Sequence, residues 1–168
     1  MAREGRIYRV ARGIYVVTHL SRFGLQAMPT PQVVAEFVAA EEGTSLYIHG
    51  ADAVRRFGFS TQMPTQQVYW TSGPSRMFKV GDLTFRWEHV AARTLVLGQR
   101  PAGEALAALW YLGKGHVSAQ TFAVLRRKLK PDEFAALLSA RKSMPGWMSA
   151  ALDAFEGRQA GETHDLDW

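Results

Sequence analysis

The chain has 168 residues, 47% of them apolar, and its 20 Lys and Arg against 15 Asp and Glu leave a net charge of +5. That length suits one domain with enough apolar side chains for a core, and the basic excess favours anionic partners without bearing on the fold. The absence of cysteine excludes disulfides, thiolate zinc sites and a cysteine nucleophile.

The five histidines, His19, His49, His89, His116 and His164, show no metal-ligand spacing, so neither a metal nor another cofactor is expected. No apolar run approaches the roughly 20 residues of a membrane span, and residues 1–6 lack the apolar core of a signal peptide. The expectation is a soluble, cytoplasmic protein with no membrane partner.

In chain order, Gly5–Val10 and Ile14–Val17 read as two strands joined through Ala11-Arg12-Gly13, with Gly13 free to take a positive φ. Arg3, Arg6, Arg9 and Arg12 stud this hairpin. They either keep a sheet edge soluble or serve as the wing of a winged helix, set on phosphates or in a minor groove. Residues 19–28 show no period and read as a loop. Thr30 then supplies an N-cap, Pro31 a first helical position and Gly43 a stop. Between them Val33, Val34, Phe37, Val38 and Glu41 follow the spacing of one helix face.

Residues 46–87 are the densest stretch. Tyr47 and Ile48 lead into Gly50–Phe57, which reads as a short helix closed by Gly58, and a polar loop covers 60–67. Val68, Tyr69 and Trp70 have strand-type side chains, and Gly73-Pro74 breaks them. Met77, Phe78 and Val80, then Leu83, Phe85 and Trp87 alternating with Thr84 and Arg86, predict a hairpin about Gly81-Asp82. Its alternation sets Leu83, Phe85 and Trp87 on the core and Arg86 in solvent. Residues 88–97 are expected to extend the strand, or to follow it with a short turn.

From Pro101 the pattern is helical. Helices are predicted at Pro101–Leu112, after Ser118, from Pro131 and from Ser143, and residues 157–168 read as a flexible acidic tail. Arg126, Arg127, Lys128 and Lys130 gather where the Ser118 helix ends, and positive charge there meets the negative end of the helix dipole. The predicted fold class is α+β. A wing-like β-hairpin (1–17) precedes a small mixed α/β core with its own hairpin (18–100), a helical C-terminal lobe (101–156) and the tail.

The segments GADAVRRFGF, STQMP and VYWTSGPSRMFKVGDLTFRW, flanked by RVARGIYVV and SMPGWMSAALDAF, resemble the AbiEi-type antitoxin family of abortive-infection and type IV toxin–antitoxin operons, from Arg6 to Phe155. The resemblance implies a non-enzymatic antitoxin whose partner is a nucleotidyltransferase-type toxin encoded beside it. It also implies that the wing-bearing end, Arg6–Val17 here, represses its own operon, and that Thr30–Phe155 carries antitoxicity. The helical DNA-reading unit that precedes such a wing in that family is expected to be missing, since Met1 lies only a few residues ahead of it.

Apart from the resemblance, Arg55 and Arg56 on the short helix and Arg76, Lys79 and Arg86 on the hairpin make a patch for nucleic acid or an acidic protein if they share a face. Otherwise they are a solvated face. Tyr69, Trp70, Phe78, Phe85 and Trp87 read as core side chains rather than base-stacking platforms. Thr71–Ser75 with Arg76 has the composition of an anion-holding nest, while the simpler reading is that Gly73-Pro74 turns a hairpin. No motif ties a histidine to Ser60 or Ser72, and no catalytic residue is expected. Two readings stand beside the antitoxin: a basic nucleic-acid-binding module without a toxin partner, and a small enzyme acting on a phosphate-bearing substrate through residues 72–76.

Overall fold

The computed structural model describes residues 7–11, 13–20, 26–27, 29–80 and 82–164. Arg3, Arg6 and Arg12 of the basic hairpin therefore lie outside the described residues. The fold is α+β, and the chain divides into two compact units, residues 1–47 with 65–90 and residues 48–64 with 91–168.

In the first unit β1 (Ile7–Ala11) and β2 (Ile14–Val17) pair antiparallel, Ile7 opposite Val17 and Arg9 opposite Tyr15. Gly13 turns between them at φ 83, as the hairpin requires. β3 (His19–Leu20) and β4 (Gln26–Ala27) also pair, where a loop was expected. Strands of two residues are too short to show a period.

α1 (Pro31–Glu41) begins at Thr30, whose hydroxyl accepts a hydrogen bond from the Val33 N–H. Its buried residues are Val34, Ala35, Val38 and Ala39, whereas Val33 and Phe37 are 54% and 53% exposed and Glu41 faces solvent. The expected face is thus rotated by about one residue, or 100°. Ala35 and Ala39 have the small side chains that let the helix come close to its neighbours, and a reading by large apolar residues overlooks them.

β5 (Leu46–Ile48), β6 (Gln67–Thr71), β7 (Arg76–Val80) and β8 (Leu83–His89) form a sheet in the order β5-β6-β8-β7. The β7–β8 hairpin is antiparallel, with Val80 opposite Leu83. β6 runs parallel to β8, so β8 returns between β6 and β7. The Gly73-Pro74 bend is consequently a crossover and not a hairpin turn, reaching across two strand spacings of about 5 Å each.

One face of the sheet meets α1 in a core of Val34, Val38, Leu46, Phe78, Phe85 and Trp87, with Ile14 and Val16 of β2 and Tyr69 packed against it. Phe78 stacks on Phe85 at 5.1 Å and meets Trp87 edge-on at 5.3 Å. Phe85 and Trp87 are 0% and 1% exposed and Arg86 points outward, as the alternation predicts. Leu83 departs from it at 40% exposure, because it opens the strand beside the turn, at the margin of the core. β8 ends at His89, and a 3-10 turn follows at Ala92–Thr94, the second of the two arrangements expected there. β6 has already ended at Thr71, opposite His89, so no neighbouring ladder remains to continue.

The second unit is helical: α2 (Gly50–Arg56), α3 (Pro101–Leu112), α4 (Ala119–Lys128), α5 (Pro131–Ser139) and α6 (Gly146–His164). His49 caps α2 through Nδ1, which accepts from the Ala51 N–H, and Ser118 and Thr121 make a reciprocal capping box on α4. A Cβ on Gly50 would fall 2.4 Å from Tyr111 Cβ, and one on Gly103 would fall 2.1 Å from the Gly98 carbonyl oxygen. Both glycines permit close backbone approach. Leu106, Leu109, Phe122, Leu125, Leu137, Met148 and Leu152 fill the core. α6 continues through Gly157 and Gly161 to His164, where a tail was expected from residue 157. The Arg126 guanidinium donates to Gln159 Oε1 at 2.6 Å, tying the far half of α6 to α4 and offsetting the poor helix propensity of glycine.

Candidate functional site

In the first unit the pleat of β2 turns Ile14 and Val16 into the core and leaves Tyr15 and Val17 in solvent. Their cross-strand neighbours Arg9 and Ile7 are exposed with them. The outward face of the hairpin is therefore a cation and a phenol side by side, next to an aliphatic pair.

The β7–β8 hairpin treats its cations differently. Lys79 is exposed with Met77 on the outward side of β7 and has no carboxylate partner among the described residues. Arg86, opposite Met77, pairs with Glu88 at 3.3 Å. Arg76 points to the other side. Its guanidinium lies 5.6 Å from the Phe78 ring centre and 5.3 Å from that of Trp87, and it pairs with Glu42 at the end of α1. Arg76 closes one edge of the aromatic core instead of projecting from it.

The bend before Arg76 is held by its own polar groups. The Thr44 and Thr71 hydroxyls share a hydrogen bond of 3.0 Å, and the Gly73 N–H donates to Thr71 Oγ1 at 3.1 Å. The His89 N–H donates to Ser75 Oγ at 2.8 Å, and His89 Nδ1 lies 2.9 Å from the Gly73 carbonyl oxygen. The Gly73 amide and the Arg76 guanidinium, two donors an anion nest would use, are thus engaged within the fold.

Arg55 and Arg56 belong to the second unit, whereas Arg76, Lys79 and Arg86 belong to the first. Arg55 lies 3.8 Å from Asp52, with its Nε buried and without a hydrogen-bond partner, and Arg56 pairs with Glu104 at 2.6 Å. Arg100 is similarly engaged: its Nε and Nη2 donate to Glu133 at 2.9–3.1 Å, and the Ala102 N–H donates to the same carboxylate at 2.8 Å. The Arg100 hydrogen bond, followed by that from Ala102, holds the Glu133 carboxyl below the usual carboxylate range, and the Lys130 charge adds to this.

A further cluster lies where α4 ends. Arg126, Arg127, Lys128 and Lys130 are all exposed, and Arg126 is hydrogen-bonded to the neutral Gln159. Among the described residues Arg127 and Lys128 have no carboxylate within ion-pair distance. The run is plain in the sequence and is explained there by the helix dipole. What the sequence does not display is that, among the described residues, neighbouring elements bring no carboxylate within ion-pair distance of Arg127 or Lys128, whereas Lys130 acts on the Glu133 carboxylate of α5.

Among the described residues no helix is long and apolar enough to cross a membrane, and no group of three or more His, Cys, Asp or Glu is placed to hold a metal ion. Residues 1–137 match a family of unknown function, DUF6088, and the chain belongs to that family. No curated protein matches the chain, and no solved structure does.

Proposed function

We propose that this member of the DUF6088 family is a non-enzymatic, cytoplasmic antitoxin and transcription regulator that counteracts a nucleotidyltransferase-type toxin. The observation that supports it best is the outward face of the β1–β2 hairpin, with Arg9 opposite Tyr15. A cation beside a phenol on a two-stranded ribbon suits a phosphate backbone or a narrow groove. The other face of the ribbon is anchored through Ile14 and Val16, which gives the exposed side chains a fixed base. The toxin partner comes from the resemblance of residues 6–155 to AbiEi-type antitoxins.

The test is co-expression with the product of a neighbouring nucleotidyltransferase-like reading frame, together with duplex binding by the purified chain. Growth arrest by the toxin is expected to be relieved. Duplex binding is expected to be weak, to fall steeply with salt and to weaken further in Arg9→Ala. Failure to relieve the arrest sinks the antitoxin reading. Duplex binding without relief favours a nucleic-acid-binding module with no toxin partner.

A further inference from the structure

We propose that the end of α4 is a second nucleic-acid contact, a phosphate-backbone surface made by Arg127, Lys128 and Lys130 with Arg126 beside them. The inference does not rest on the hairpin or on the toxin. Four cations fall within five residues, 126–130. The C-terminal end of a helix dipole offsets only about half a unit of positive charge, and of the four only Lys130 is coupled to a carboxylate among the described residues, that of Glu133, so the charge left over is chiefly that of Arg126, Arg127 and Lys128. In the same unit Arg55, Arg56, Arg100 and Arg141 each have a carboxylate partner, whereas Arg127 and Lys128 have none among the described residues; Lys114, Lys142 and Arg158 have none either, but they do not fall in such a run.

The cluster is also positioned. Gln159 orients the Arg126 guanidinium without neutralising it. The Lys128 ammonium lies 2.9 Å from the place where a side chain on Gly58 would begin, so it sits against the chain that closes α2. Gly58 has φ +77 and no side chain to displace that ammonium.

Nucleic acid fits this surface better than an acidic protein does. Protein interfaces are built on an aromatic or apolar centre and are depleted in lysine. Among the described residues, the exposed large apolar side chains of this unit are Met63, Val96 and Tyr111, none of them on α4, α5 or α6. Nucleic-acid interfaces are polar and strongly positive, and lysine and arginine on phosphates supply affinity without reading sequence.

The test uses the full chain and labelled duplex DNA and single-stranded RNA of arbitrary sequence, titrated over a range of NaCl concentrations. The triple variant Arg127→Gln, Lys128→Gln, Lys130→Gln is compared with the parent after circular dichroism confirms its fold. The slope of log K against log salt is expected to fall by about 2–3 in the variant, and the low-salt affinity by at least about tenfold. The polymer showing the larger change is the one that supplies the phosphates. An unchanged slope and affinity overturn the proposal, as does a loss seen with Arg9→Ala but not with the triple variant. Backbone NMR of the parent provides a measurement that needs no variant. Amide shifts at residues 126–130 on adding nucleic acid are expected, and their absence overturns the proposal. Displacement of the nucleic acid by a poly-glutamate peptide at equal charge overturns it in favour of an acidic protein partner.

Discussion

The two units offer solvent different chemistry. The first exposes apolar side chains: Ile7, Tyr15 and Val17 on the β1–β2 hairpin, Val33 and Phe37 on α1, Met77 and Leu83 on the second hairpin. Two of its candidate cations, Arg76 and Arg86, are held by carboxylates. Among the described residues the second exposes few large apolar side chains, and at the end of α4 it keeps a cationic cluster in which Arg127 and Lys128 have no carboxylate within ion-pair distance. Apolar surface gains only from close, dry contact with a complementary shape, whereas uncompensated charge attracts over roughly a Debye length of 8–10 Å and weakens with salt. Apolar contacts of the first unit should therefore tolerate salt better than phosphate contacts, whether through its Arg9 or through the cationic cluster of the second.

The interiors differ as well, and this predicts the largest effects. The core of the first unit depends on a few large rings. Phe85 is fully buried and stacked on Phe78, so Phe85→Ala is expected to cost about 3–5 kcal/mol in urea unfolding. A loss below about 1 kcal/mol would mean that the rings repack and that the core is not centred there. In the second unit the sensitive change is an addition. Gly103→Ala would press a methyl against the Gly98 carbonyl oxygen, which is backbone and cannot swing aside. The crowding is expected to cost about 1–3 kcal/mol net, although alanine is the better helix former by about 1 kcal/mol. A thermal melt showing Gly103→Ala more stable than the parent would show that the turn at Gly98 yields easily.

These sensitivities follow what was legible in the chain. Helix starts were readable because their signals are local: Thr30 with Pro31, Pro101, Ser118 and Pro131 each act on the next few amides. The β7–β8 hairpin was readable from alternation across a short turn. The parallel pairing of β6 with β8 was not, because it depends on a crossover secured by Thr44, Thr71, Gly73, Ser75 and His89, which meet only in the folded chain. The same holds for the candidate site. Arg9 could be assigned to a basic hairpin from the arginines that stud it, but nothing near Arg76 or Arg56 in sequence announces Glu42 or Glu104.

A smaller effect, with a distinctive pH dependence, is expected at Glu133. Its carboxylate on α5 receives Arg100 and the Ala102 N–H near the start of α3, linking two helix N-termini. The folded carboxyl is held below its ordinary value, so its contribution to stability is complete above the unfolded value of about 4.3 and is lost as pH falls through the lower folded value. Glu133→Gln should therefore melt below the parent at neutral pH, and the gap should close as the solution is acidified below the ordinary carboxylate range. A gap that stays constant or widens on acidification would assign the loss to packing and not to the charge.

The smallest effect on stability is expected at Arg56, and it decides how the cations of α2 are to be tested. Arg56 pairs with Glu104 at 2.6 Å, but its side chain is 53% exposed, so Arg56→Gln should change stability by only about 0–1 kcal/mol. Reversing both arginines of α2 to glutamate is a poorer probe. It would set one new carboxylate against Glu104 and another against Asp52, and the repulsion would disturb α2 whether or not a partner is bound there. The neutral Arg56→Gln keeps most of the side-chain bulk and removes only the charge. An unchanged melting temperature with impaired toxin neutralisation or duplex binding would assign Arg56 to a partner-binding surface. If both functions remain intact, the Arg56–Glu104 pair is a surface contact within the helical unit, and the end of α4, the densest run of exposed cations there, is the next surface to test.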